Sequence, residues 1–102
     1  MDQEQAIGLS KKYLNCLDEN RIDFEKIYLY GSFATGNQTK FSDIDLAIIM
    51  KKWDNHFDMQ NRLLMLTKSV SYVIETYPFL EDDFTEKNPI AKEILKRAIR
   101  IK

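Results

Sequence analysis

The stretch Gly31–Ile49, GSFATGNQTKFSDIDLAII, joins a small-residue turn to an apolar run with aspartates at alternate positions, Asp43 and Asp45. Side chains on a strand alternate between faces, so residues two apart share a side, about 6.5–7 Å apart. Asp43 and Asp45 therefore point one way, while Ile44 and Leu46 point the other way into a core. Two carboxylates that close raise each other's pKa unless a cation lies between them. A hard divalent ion removes the conflict, and Mg²⁺ favours a few carboxylates with positions left for substrate phosphates. Taken alone, however, an Asp-x-Asp also fits two solvated charges at the exposed start of a strand.

The upstream half of the stretch bears on that choice. Gly31 follows a predicted strand and lets the backbone approach a ligand closely. Ser32 adds a hydroxyl, and the N–H groups opening the next helical turn suit an anion. A phosphate held there, beside a metal held by Asp43 and Asp45, is the geometry of phosphoryl or nucleotidyl transfer. The stretch is not a Walker A loop, because no Gly-Lys-Ser/Thr follows, and it lacks the glycine and terminal glutamate of an EF-hand.

Outward from this stretch, the pattern gives helix, strand, short helix, strand, helix, strand, helix. Residues 2–19 carry an apolar stripe (Ala6, Leu9, Tyr13, Cys16, Leu17) behind a capping Asp2. Lys26–Tyr30 is aromatic and β-branched and reads as a strand. Asp43–Met50 is the second strand. A helix over about residues 55–68 follows a cap in Trp53-Asp54-Asn55. The run SVSYVIETY reads as the third strand, closed by Pro78. Asn88-Pro89 starts the last helix, with Asn as cap and Pro in the first turn. The final residues, AIRIK, end as a short extended tail. The expected fold class is α/β (α+β): a small mixed three-stranded sheet flanked by helices.

The 102 residues suit one domain with one core, and residues 1–102 are read as a single domain. Hydrophobic residues make up 44% and charged residues 30%, which excludes a disordered chain. No apolar run approaches the roughly 20 residues that span a bilayer. The polar start, MDQEQ, is no secretory signal. Cys16 is the single cysteine and is expected to be a buried thiol in a reduced, cytoplasmic protein. A net charge of −1 argues against direct binding of nucleic acid through its phosphates. The charge is uneven: residues 81–86, EDDFTE, are acidic, whereas Lys87–Lys102 holds six basic residues and one acid, Glu93. That basic helix reads as a solvated face, or as a docking surface for an acidic partner.

The Gly-Ser pair, the small-residue turn and the Asp-x-Asp strand about a dozen residues on resemble the signature of the DNA polymerase β-like nucleotidyltransferase superfamily. The short length resembles its minimal nucleotidyltransferases. The resemblance implies a nucleotidyltransferase-like core, ATP as substrate and Mg²⁺ held by Asp43 and Asp45. It implies β- and γ-phosphates held at Gly31 and Ser32. It also implies a third carboxylate on a neighbouring strand, usually Asp. Glu75 is the only acid in SVSYVIETY. It is the candidate third metal ligand or general base, on one face with Val73. Relatives often carry Arg or Lys near Thr35, and Lys40 is the candidate to supply that charge here. Minimal nucleotidyltransferases often pair with a small helical HEPN toxin and adenylylate one of its tyrosines as an antitoxin. The resemblance therefore implies such a partner and an adenylyl transfer to a hydroxyl. The alternative is a subunit that binds nucleotide or partner without turnover. His56, Trp53, Tyr28, Tyr30 and Phe33 are read as capping or packing residues.

Overall fold

A computed structural model describes all residues, 1–102. The elements are α1 (Gln3–Glu19), β1 (Lys26–Tyr30), α2 (Ser32–Thr35), β2 (Ile44–Met50), α3 (His56–Thr67), β3 (Ile74–Leu80), α4 (Pro89–Arg97) and β4 (Ile99–Arg100). Helix starts follow the caps in the sequence. The Asp2 carboxylate accepts from Gln5 N at 2.8 Å, and Gln5 Oε1 accepts from Asp2 N at 2.9 Å, a reciprocal capping box. Asn55 and Asn88 cap α3 and α4 with the side-chain oxygen alone, accepting from Asp58 N and Ile90 N.

The strands form one sheet in the order β3-β2-β1-β4. β1 is antiparallel to β2 and to β4, and β2 is parallel to β3. The sheet thus has four strands, not three. The extra one is the expected extended tail: Ile99 lies across from Leu29 and Arg100 from Tyr28. The third strand also differs from its expected range. It begins at Ile74 and runs through Pro78 to Leu80. Pro78 is tolerated because β3 is an edge strand. Val73 O accepts from Ile44 N, so odd-numbered backbone groups of β3 face β2 and the missing N–H of Pro78 faces outward. Because the strand starts so late, Val73 packs against the main core instead of sharing a face with Glu75.

The sheet separates two environments. Ile27, Leu29, Ile44, Leu46, Ile48, Met50 and Ile74 lie on one face. There they join Ala6, Tyr13 and Leu17 of α1 and Leu63 of α3 in a single buried cluster. Tyr13 is fully enclosed, and its hydroxyl donates to Leu63 O at 2.8 Å, which satisfies the polar end. The opposite face holds a smaller cluster of Ala47, Ile49 and Ile94, with Tyr28, Tyr30, Phe79 and Phe84 packed at its edges. Here α4 covers only part of the sheet. Cys16 is half-buried beside Ser69, not enclosed. No helix is long and apolar enough to cross a membrane.

Candidate active site

Strand register gathers the polar groups of the second face. Asp45 of β2 pairs with Tyr30 of β1 on one side and with Glu75 of β3 on the other. Residues paired across strands project to the same face. Asp45 and Glu75 therefore stand side by side, and Asp43, two residues before Asp45, lies on the same face. Asp43 comes one residue before β2, at the end of a loop fixed by Ser42, whose Oγ accepts from Thr39 N at 2.9 Å.

Gly31 connects this cluster to the turn. It follows β1 and precedes α2, with φ +78° and ψ −156°. That backbone region is essentially restricted to glycine. A β-carbon there would lie 2.5 Å from Asp45 Oδ2. The glycine is thus required twice, by its own dihedral and by the carboxylate packed against it. Gly31 O then accepts from Ala34 N and Thr35 N, which tightens the turn carrying Ser32.

The carboxylates perturb one another. Partial burial, then the Glu75 and Asp43 charges, push Asp45 up to about 6. Loss of solvation, the Glu75 charge and a hydrogen bond with Glu75 push Asp43 upward too. The Tyr77 hydroxyl donates to Glu75 Oε2 at 2.7 Å. That bond, with burial and the neighbouring acids, pushes Tyr77 up to about 12. Tyr30 is raised as well, first by burial and then by Asp45, and its ring meets Tyr77 edge-on at 5.9 Å. This face therefore disfavours added negative charge unless a cation accompanies it.

The side chains suit a hard cation in their chemistry: three carboxylate-bearing residues, all oxygen donors, in mutual repulsion. They do not draw together into a closed cage, and no group of three or more His, Cys, Asp or Glu side chains is placed to hold a metal ion by itself. An open arrangement is what Mg²⁺ uses when substrate phosphates complete its shell.

A cleft of about 820 Å³ opens between the Gly31 turn and α4. Tyr30, Gly31 and Thr35 form one wall, and Ile90, Ile94 and Arg97 of α4 form part of the other. Neither this cleft nor a smaller hollow of about 370 Å³, beside Met50 and Lys51, is lined by Asp43, Asp45 or Glu75. Two features of the site were not read from the sequence. The Tyr77–Glu75 contact had a local signal, since the two residues are spaced by two on one strand. The approach of α4 to Gly31 had none, because it depends on which helix covers this face.

The other singled-out residues fall outside the cluster. Lys40 lies over the Phe41 ring, 5.1 Å from its centroid, on an exposed loop. Phe33 is buried in the main core. His56 is the exposed first residue of α3, edge-on to Trp53 at 5.1 Å. Asp82 and Asp83 lie in an exposed single turn after β3.

Comparison with known proteins connects the chain to a family, a sequence relative and a solved structure. The family model described as Polymerase beta, Nucleotidyltransferase matches residues 11–102. A candidate protein adenylyltransferase of Methanocaldococcus jannaschii is 37% identical over 67 residues. That alignment covers 64% of this chain and 64% of the relative, so the chain spans under two thirds of the relative's length. A crystal structure of a candidate nucleotidyltransferase from Sulfolobus solfataricus superposes with a TM-score of 0.66 at 24% identity. It covers 96% of this chain and 80% of the other, and at that identity the likeness speaks for the fold alone.

Proposed function

We propose that this chain, which belongs to the polymerase β nucleotidyltransferase family, acts as a single minimal domain that transfers an adenylyl group from ATP to a protein hydroxyl. In this reading Asp43 and Asp45 hold Mg²⁺, with Glu75 at the edge of the same site. Gly31 and Ser32 take the β- and γ-phosphates through the backbone of the turn. Glu75 receives the acceptor hydroxyl, orients it for in-line attack on the α-phosphorus and accepts its proton. The bond from that phosphorus to the bridging oxygen breaks, and pyrophosphate leaves. Bound Mg²⁺ supplies charge stabilisation at the attacking and leaving oxygens.

One observation carries the reading: Asp45 stands in register beside Glu75 while packed against the Gly31 turn. The acids therefore adjoin the turn that this reading gives to the phosphates. A protein acceptor is favoured by the name of the Methanocaldococcus relative, a candidate protein adenylyltransferase. A tyrosine acceptor is favoured by the phenol already hydrogen-bonded to Glu75, that of Tyr77. An incoming tyrosine would take the same place on that carboxylate. The proposed partner is a small helical protein of the HEPN class, and the biological role is that of an antitoxin.

The test is label transfer from α-labelled ATP to whatever helical protein copurifies with the chain. Label on a partner tyrosine, lost in Asp43→Asn and Asp45→Asn, is the expected result. A partner that binds stably yet never gains the mass of an AMP would overturn the transfer reading.

A further inference from the structure

We infer that Arg97, at the end of α4, is the cation that holds the polyphosphate on the side of the Gly31 turn opposite the carboxylates. The inference rests on the nucleotide reading above and adds to it a residue from an element outside the Asp-x-Asp signature.

Two independent observations bring Arg97 there. The first is the cleft, which Gly31 and Thr35 line on one side and Lys96 and Arg97 line on the other. The second is strand register. Leu29 lies opposite Ile99 in the antiparallel β1–β4 pair. The start of β4 therefore lies near the end of β1, and Arg97, the last residue of α4, comes at that same end of the sheet as Tyr30 and Gly31. Across the end of the sheet the paired order is Glu75, Asp45, Tyr30, and α4 ends at Arg97, two residues before the strand on the far side of β1. A polyphosphate seated at Gly31 has acids on one flank and Arg97 on the other.

Charge requires such a group. A nucleoside triphosphate brings about four negative charges, and two divalent ions offset about four. The carboxylates of Asp43, Asp45 and Glu75 then leave the assembly negative. The turn itself offers no cation, since Thr35 stands in it and Thr35 Oγ1 donates back to Ser32 O at 3.3 Å. Lys40 lies over Phe41. Of the two cleft cations, Lys96 is held by Glu93 at 3.1 Å. Arg97 makes no salt bridge, and its planar fork suits two phosphate oxygens at once. Its placement at a helix C-terminus also favours the helix dipole, but that benefit is indifferent to which face of α4 carries the charge.

The experiment is calorimetric titration of the full chain with inorganic tripolyphosphate and, separately, with MgATP. The variants are Arg97→Gln, Arg97→Lys and Lys92→Gln. Lys92 is exposed on the same helix and does not line the cleft. Arg97→Gln is expected to weaken both ligands by about tenfold or more, Arg97→Lys by less, and Lys92→Gln hardly at all. Unchanged melting curves for all three variants are expected to accompany that order. Equal losses in Arg97→Gln and Lys92→Gln would overturn the inference, since they reveal only a diffuse field. A wild-type chain that binds MgATP, with Arg97→Gln binding as well, would overturn this inference alone. A wild-type chain that binds neither ligand would overturn the nucleotide reading and this inference with it.

Discussion

The two faces of the sheet are built from alternate residues of the same strands, yet they do opposite things. In β2, Ile44, Leu46 and Ile48 point into a closed apolar cluster with α1 and α3. Asp45, one residue away from two of them, points into a group of acids and tyrosines that repel charge. The first face gains free energy from burial and tight packing. The second gives some of that up by holding carboxylates side by side, partly out of water. A strand's two-residue period lets both arrangements share one backbone, with the core face anchoring the geometry of the other.

Substitutions at neighbouring positions of β2 separate the two faces, and the largest expected effect is on chemistry. Asp45→Asn keeps the shape and removes the charge, so transfer falls by on the order of a thousandfold or more, as for several kcal/mol of lost charge stabilisation. The same variant folds and melts no lower than wild type. Retained transfer in a radioactive ATP assay would break the comparison at its centre. Leu46→Ala, next along the chain, is the mirror case. It empties a fully buried site and costs about 2–5 kcal/mol of stability, read by urea denaturation. Below its midpoint, transfer per folded molecule stays near the wild-type value.

Gly31→Ala joins the two effects at a smaller magnitude. The positive φ costs about 1–3 kcal/mol for a non-glycine residue. The added β-carbon also displaces the Asp45 carboxylate. Stability and MgATP affinity should therefore fall together in this variant, whereas Asp45→Asn and Leu46→Ala separate activity from stability. A Gly31→Ala chain with normal nucleotide affinity would show that the turn and the acid are not coupled.

Much of this was legible because period-two alternation is local. Asp43 and Asp45 could be assigned to one face from spacing alone, and Glu75 was the only acid its strand offered. Both helix-starting asparagines lie where their side chains signalled. The missing parts depend on contacts between distant segments. β4 is two residues long and exists only because β1 leaves an open edge. Pro78 looked like a strand terminator, which it would be in a central strand, and edge position is a property of the whole sheet. The approach of Arg97 to Gly31 likewise follows from where β4 docks. The family resemblance supplied the third-carboxylate expectation, which composition and spacing could not have done.

The smallest effect tests the electrostatic half of the comparison directly. Asp45 is an acid whose pKa in the folded chain, about 6, lies above its ordinary value of 3.8. Between those values the folded state binds more protons than the unfolded state, so folding stability falls as pH rises through that window. The loss amounts to around 1 kcal/mol once screening at a half-exposed position is allowed for. In metal-free protein, the melting temperature should therefore decline as pH rises from the ordinary carboxylate range to just above 6. Asp45→Asn should flatten that decline and melt higher than wild type at neutral pH. Asp43 shifts in the same direction and leaves a residual slope in that variant. Adding Mg²⁺ with a nucleotide should reverse the trend, because a bound cation favours the ionised carboxylates and its binding strengthens as they lose protons. An apo protein whose stability rises with pH over this interval would mean that the acids of the second face are not in conflict, and the contrast between the faces would then rest on burial alone.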